Sequence, residues 1–460
     1  MDRLSLKNIL LEATKTGADY AELYFEDTNS NSVRVIMDKV DEITSNHQAG
    51  CGLRLLKGVE EAYGYTNDVT YEGVMKLAQS LNSSFNSEVV VNDVNFTETL
   101  VNKHTDFKNL EIDKNKIVEV FIEANKVMKE YDPRIIQTLS SFSSNVQKVR
   151  VVNTNGIDKE DVRFIQRGVV QSVAKDANSM QVGHEQFGGN VDFDTIISYD
   201  FNALATEAAK SAITMLEAEE MVGGVYDVVI HNAFGGVIFH EACGHALEAT
   251  SVAKNLSVFS GKIGEKIAAD CVTAIDDGTI SNEWGSQNID DEGNPQQKRV
   301  LIENGVLKSY MIDMRNGRRM NMEATGSSRR QSYRFSPTSR MSNTYIANGE
   351  YKYEEIIANT KYGLFAKKMG GGSVNPATGE YNFSVSEGYM IEDGKITKPV
   401  RGATLIGNGK DTLFKIDMVA DNCSFGYGMC GSASGSIPAC VGQPTIRVKD
   451  MTVGGNGGRK

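Results

Sequence analysis

The sequence predicts an α+β protein in two domains: an N-terminal mixed α/β domain over residues 1–220, and a largely β C-terminal domain over residues 221–460 that carries one short helix with two histidines. Three observations predict it. Only 11 of the 44 glycines fall in residues 1–220, so the second half is the one divided by turns. Helical periodicity, with apolar residues every three or four positions, is concentrated in the first half. Alternating β-branched and aromatic residues occur in both halves.

Taken in order, residues 2–15, 70–84 and 107–132 have the apolar spacing of amphipathic helices. Between them, "AELYFEDTNSNSVRVIMDKVDEITS" and "LRLLKGVEEAYGYT" alternate as strands do. "VQKVRVVNTNGIDKEDVRFIQRGVVQSVAK" turns at Asn155-Gly156, a hairpin signal. A helix over 201–219 brings Phe201, Leu204, Ala208, Ala212 and Met215 to one face and closes the first domain. "YDVVIHN" reads as a buried strand, and "RVLIENGVLKSYMID", "EGYMIEDGKITKPV" and "PTIRVKDMTVGG" as short strands with glycine turns. The sequence has no internal repeat.

Composition narrows the function. A formal net charge of −12 over 460 residues disfavours nucleic acid as the main partner, because neutralising phosphates takes clustered Lys and Arg. The N-terminal stretch interrupts every apolar run with charge, unlike a signal peptide, and no apolar run of membrane-spanning length follows. The expectation is a cytoplasmic protein, away from membranes, whose six irregularly spaced cysteines form no disulfide framework.

The chemistry concentrates in "FHEACGHALEAT", residues 239–250. Two histidines with a glutamate directly after the first suggest a metal-dependent hydrolase, in which the glutamate takes a proton from a metal-activated water. The common motif spaces its histidines by four residues, whereas His240 and His245 are five apart. At about 100° per residue, a regular helix would aim them roughly 140° apart. A single π-type turn would bring both to one face, and Gly244 lies where that distortion is expected. A catalytic zinc takes three protein ligands and keeps one position open. Glu248 and Cys430 are candidates for the third, Cys430 from the glycine-rich "FGYGMCGSASGSIP", read as a turn that leaves a thiolate accessible. Spacing favours none of His47, His104, His184 and His231, and Cys243 fits a small packing residue.

"HEACGHALEA", "RRQSYRFSPTSRMSNTYI" and "GYGMCGSASGSIPACVGQPTIRV", in that order, resemble the TldD branch of the TldD/PmbA metalloproteases. The likeness is densest from about residue 225 onward. It implies a peptidase with one zinc held by His240, His245 and Cys430, and with Glu241 as general base. It implies a substrate of peptides or unfolded polypeptide, in peptide maturation or degradation. It also implies a dimer, either with a sister subunit lacking the histidine motif or as a homodimer. An old family label as a modulator of DNA gyrase is not read as DNA binding, and the acidic charge agrees.

Other residues suggest substrate contacts. "MSNTYIAN", residues 341–348, reads either as an edge or cleft strand on which Ser342, Asn343 and Thr344 would pair with an extended peptide, or as an ordinary core strand. Arg329, Arg330 and Tyr333 are candidates to bind a peptide carboxylate or the oxyanion, and Gly370–Gly372 reads as a loop or lid hinge. Two other functions compete: a non-catalytic peptide-binding or assembly subunit with a structural metal, and a thiol hydrolase with Cys430 as nucleophile.

Overall fold

The periodicity at the N-terminus folds as helix α1 (Arg3–Thr14): Leu6, Ile9, Leu10 and Ala13 recur on one buried face, and the Asp2 carboxylate caps it by accepting from Ser5 N at 2.8 Å. In the computed structural model, which describes residues 1–97, 101–375 and 378–457, three strands follow, β1 (Tyr20–Ile36), β2 (Lys39–Lys57) and β3 (Glu60–Thr66). Next come helices α2 (Tyr71–Leu81) and α3 (Lys114–Tyr131), then strands β4 (Ile135–Asn153), β5 (Asp158–Lys175) and β6 (Met180–Asn190), and helices α4 (Phe193–Ile197) and α5 (Phe201–Glu217). The six strands form one antiparallel sheet in the order β3-β2-β1-β4-β5-β6. The expected hairpin joins β4 to β5, with Gly156 at φ +85°, a left-handed conformation that glycine adopts without penalty. On α5 the residues expected to share a face are buried, apart from the half-buried Leu204.

The second half begins with β7 (Glu219–Glu220) and β8 (Gly224–Ile230), whose Val228, Val229 and Ile230 are fully buried as the apolar run predicts. Helices α6 (Val237–Ala242) and α7 (Ala249–Val252) follow, separated by a 3₁₀ turn at Gly244–Leu247. Strands β9 (Ala274–Asp277), β10 (Lys298–Glu303) and β11 (Val306–Leu307) lead to helix α8 (Met314–Met320), then β12 (Ser328–Arg329), β13 (Thr338–Ser339), β14 (Asn343–Ile346) and helix α9 (Tyr353–Ala358). The chain continues through β15 (Tyr362–Val374), β16 (Glu380–Glu392), β17 (Lys395–Arg401), β18 (Thr404–Asn408), helix α10 (Gly409–Lys415), β19 (Ile416–Val419), β20 (Ser424–Ser432), β21 (Gly435–Gln443) and β22 (Ile446–Gly454). One sheet runs β15-β8-β22-β18-β16-β17-β7 and another β11-β10-β9-β14-β21-β20. The mixed α/β architecture expected from the sequence is therefore the one observed, and its two-part layout is consistent with two domains.

Helix α6 is held in the apolar core between these sheets. Val237, Ile238, Phe239 and Ala242 are buried in one cluster with Ile346, Leu364 and Phe383 of the flanking strands. Full burial of Ile238 and Phe239 contributes about 1.5–3 kcal/mol each, which anchors a helix too short to persist alone. No helix among the described residues is long and apolar enough to cross a membrane.

Several expected substrate positions have other roles. Ser342, Asn343 and Thr344 belong to no edge: β14 is flanked by β9 and β21. Their side chains are buried, with Ser342 and Thr344 donating to Asp276 at 2.9 and 2.8 Å and Asn343 donating to Asp277 O at 2.6 Å. Gly370–Gly372 is part of β15, which pairs with β16 through register shifts, and forms no hinge loop. Arg330 is buried in the seam between the two halves, where its guanidinium donates to Glu22 and stacks 4.2 Å above the Tyr24 ring. Tyr333 is buried beside it, its N–H donating to Glu26 at 2.7 Å and its hydroxyl to Asn67 at 2.7 Å. These contacts occupy Ser342, Asn343, Thr344, Arg330 and Tyr333.

Candidate metal centre

The five-residue spacing is accommodated by a break. Helix α6 ends at Ala242, Cys243 takes φ −130° and ψ −47°, and Gly244 starts the 3₁₀ turn. The expected π-type turn is absent, because Cys243 still donates to Phe239 O at 3.0 Å, an ordinary four-residue bond, before the chain tightens. Gly244 is needed for packing: a Cβ there would lie 2.3 Å from Sδ of Met341, itself fully buried. Cys243 is buried as a packing residue. The result brings the rings of His240 and His245 edge to face, with centroids 5.0 Å apart.

The third group arrives from the other end of the chain. Cys430 lies on strand β20, opposite Ile437 in the β20–β21 hairpin, and is buried; it does not sit in an open turn as the glycine-rich sequence suggested. Arg340 fixes that hairpin by donating to Cys430 O and, at 2.9 Å each, to Ser434 Oγ and Gly435 O. His245 Nε2 is 3.4 Å from Cys430 Sγ.

His240, His245 and Cys430 each offer one ligand atom, and these atoms all lie within 4.8 Å of one another. Tetrahedral zinc, with bonds of about 2.0–2.3 Å, separates its ligand atoms by about 3.4–3.6 Å, so the donor set fits. His240 Nδ1 is also buried without a hydrogen-bond partner, a cost that folded chains seldom leave without cause. Among the described residues no fourth His, Cys, Asp or Glu joins the group.

Electrostatics prepare the same donors. Burial raises the Cys430 thiol, but the charges and hydrogen bonds of His240 and His245 outweigh it and hold the thiol down to about 3, so it is a thiolate. Burial likewise disfavours charge on His245, yet Glu248 and Cys430 raise its pKa well above the ordinary value. Glu248 is not in the ligand set. It is buried with Oε2 3.2 Å from His245 Nδ1, the nitrogen facing away from Cys430. The sequence offers Glu248 as a metal ligand, and the three-residue offset from His245 instead carries this outer contact. Glu241 is the more exposed carboxylate, its side chain 31% exposed and Oε2 3.8 Å from His245 Nε2.

Comparison with known proteins decides the family. Residues 21–84, 107–216 and 223–455 match, in turn, domain 1, the central domain and the C-terminal domain of the PmbA/TldA metallopeptidases. The chain belongs to the PmbA/TldD metallopeptidase family. A "Metalloprotease TldD homolog" of Haemophilus influenzae is 36% identical over 98% of this chain and 96% of its own length. One from Buchnera aphidicola is 32% identical over 95% of this chain and 93% of its own. Two solved structures share the fold: a putative modulator of a DNA gyrase from Thermotoga maritima, with TM-score 0.80 and 21% identity over 97% of this chain and 98% of that one, and TldE from Thermococcus kodakarensis, with TM-score 0.79 and 18% identity over 98% and 99%. As a PmbA/TldD metallopeptidase, the chain is a hydrolase of peptide bonds.

Proposed function

We propose that the protein is a zinc peptidase acting on extended peptides or unfolded segments, with His240, His245 and Cys430 as metal ligands and Glu241 as general base. The observation that carries this reading is a three-member donor set with a partly exposed carboxylate beside it. A structural zinc would call for four protein ligands, and among the described residues the group has three. One relative, from Saccharolobus solfataricus, is named a "Zinc metalloprotease TldD homolog". Zinc held by these donors would acidify a water molecule and polarise the scissile carbonyl. Glu241 would accept the proton and return it to the leaving amine. Glu248 holds the His245 ring in the orientation that turns Nε2 toward Cys430.

The free edge of β20 supports an extended substrate. Cys440 N donates to Ser342 O, toward β14, so the alternation of antiparallel pairing turns Ala439 toward β20 and leaves Tyr427, opposite Cys440, with its own N–H and C=O aimed away from β21. Phe425, Met429 and Gly431 share that orientation by their spacing. Pro438, which has no N–H to give, faces Met429 without loss. A peptide added to this edge would use backbone bonds indifferent to side chains, and would pass beside Cys430. A dimer remains part of the proposal, supported by the shared fold with TldE.

Hydrolysis of a denatured-protein substrate tests the reading. Wild type should lose activity to a strong chelator and regain it with zinc, and Glu241→Gln should bind zinc yet fall about 10²–10⁴-fold in kcat. Undiminished cleavage by Glu241→Gln would remove the general base. Activity that survives the chelator but not a thiol alkylator would point instead to Cys430 as nucleophile, the reading that its thiolate favours.

A further inference from the structure

The face of the β20–β21 hairpin turned away from the histidines borders a cleft of about 740 Å³ between the two halves of the chain. Met429 and Pro438 line it from the hairpin, Trp284 from the second half, and Thr28, Asn145 and Gln147 from the sheet of the first half. It continues past Ser143 and Arg167 into a second cavity of about 560 Å³.

Its charge is unlike that of the chain. On a protein of net charge −12, the charged lining of this cleft consists of five arginines and one glutamate. Arg163 is balanced by Asp291 at 2.8 Å and Arg330 by Glu22. The other three have no carboxylate within ion-pair distance among the described residues. Arg167 donates to Gln186 at 3.0 Å, Arg334 to the Tyr333 hydroxyl at 3.2 Å, and Arg329 to the carbonyls of Met341 and Pro438 at 2.8 and 2.6 Å. Arg329 is 2% exposed and its Nε has no partner. Burial without a counter-ion pulls its guanidinium down to about 10. Glu26, the one carboxylate of the lining, accepts from Tyr333 N, Thr28 and Gln147, and its charge acts on Arg334 without an ion pair. A desolvated cation such as Arg329 is costly unless an anion joins it.

We propose that this cleft is a specificity site that takes the acidic side chains of a peptide lying along β20. The proposal rests on the peptidase reading above. On adjacent strands, residues directly opposite each other share a face. A side chain of an added strand opposite Met429 therefore points into the cleft, and its neighbours along that strand point toward the metal side. The substrate residue opposite Met429 is the one that meets the arginines. An aspartate or glutamate there gains charge-assisted hydrogen bonds from Arg167, Arg329 and Arg334, whereas a lysine is repelled. Peptide is favoured over nucleic acid because the cleft is continuous with Met429, the neighbour of Cys430, and with the unpaired backbone of β20.

Binding separates this proposal from catalysis. The full-length Glu241→Gln protein, loaded with zinc, is titrated by fluorescence anisotropy with a labelled peptide carrying Asp at every second position, and with the same peptide carrying Asn. The Asp peptide should bind roughly tenfold more tightly, an advantage that shrinks as salt is added and collapses when Arg167→Gln and Arg334→Gln are combined. Arg334 is exposed, so its single variant is safe for folding and should lose part of the advantage. Equal affinity for the two peptides, or a preference that survives the double variant, would overturn the proposal. So would an oligothymidylate of equal charge that binds more tightly through the same arginines. If wild type cleaves neither peptide while the Asp preference holds, the peptidase reading falls and the anionic site stands.

Discussion

Glu248 Oε2 lies 3.2 Å from Nδ1 of His245, on the opposite side of the ring from Cys430. A carboxylate behind a metal-binding imidazole fixes its tautomer and raises its basicity, and loss of such a partner costs about 10–100-fold in metal affinity. Glu248→Gln should therefore weaken zinc binding by that factor in a competition titration with a chelating dye, with hydrolysis largely restored at saturating zinc. Unchanged affinity would reduce Glu248 to a buried packing residue.

Cys430 contributes the only donor of the cluster that is remote in sequence, being 185 residues from His245. Zinc per chain, measured by elemental analysis after purification without added metal, should be about one in wild type and far lower in Cys430→Ser, because the hydroxyl is a poor ligand beside a thiolate. Equal zinc in both proteins would exclude Cys430. Because the ligand atoms already lie within 4.8 Å of one another, the folded state should not need the metal, and the apo protein should keep its secondary structure by circular dichroism.

What the sequence revealed depended on how local the cause was. Helix α1 was legible because its cap and its apolar stripe lie within a few residues of each other, and the hairpin at Gly156 because the turn residues themselves set the geometry. The two histidines and Glu241 were legible as chemistry, but the way the chain brings the rings together was not. A five-residue spacing is compatible with a π-type turn and with a broken helix, and the choice is made by Met341 packing on Gly244 from 97 residues away. The errors at Arg330, Tyr333 and β14 share one origin. Each looked available because its partner is far off in the chain, 308 residues for Arg330 and Glu22, 307 for Tyr333 and Glu26, and 66 for Ser342 and Asp276.

That seam makes its own prediction. Arg330 and Glu22 are both 0% exposed at their side chains, and removing one partner of a buried pair leaves an unpaired charge, a loss of about 3–5 kcal/mol. Arg330→Met should lower the thermal midpoint by several degrees in a scanning calorimeter. Adding Glu22→Leu should recover most of the loss, since an apolar pair of similar volume replaces ions that were costly to desolvate. If the single variant melts like wild type, the seam does not hold the halves together through this pair.

Acid should loosen a second contact between the halves. Glu387 on β16 is buried, a change that alone would raise its pKa, but Lys368 and Lys367 beside it, with hydroxyl donors Ser211 and Tyr389, bring the carboxyl down to about 2. Ser211 belongs to α5 of the first half, and Lys368 also pairs with Glu185 of β6. A carboxyl depressed in the folded state stabilises it fully above the unfolded value near 4.5, and that contribution, about 3 kcal/mol, is lost as pH falls through the folded value. Stability measured against denaturant should therefore decline from about pH 4.5 toward pH 2, and Glu387→Gln should start less stable at neutral pH and show a shallower decline over that window. An acid limb of identical slope in the two proteins would mean that Glu387 does not titrate between folded and unfolded states as its lysine partners require.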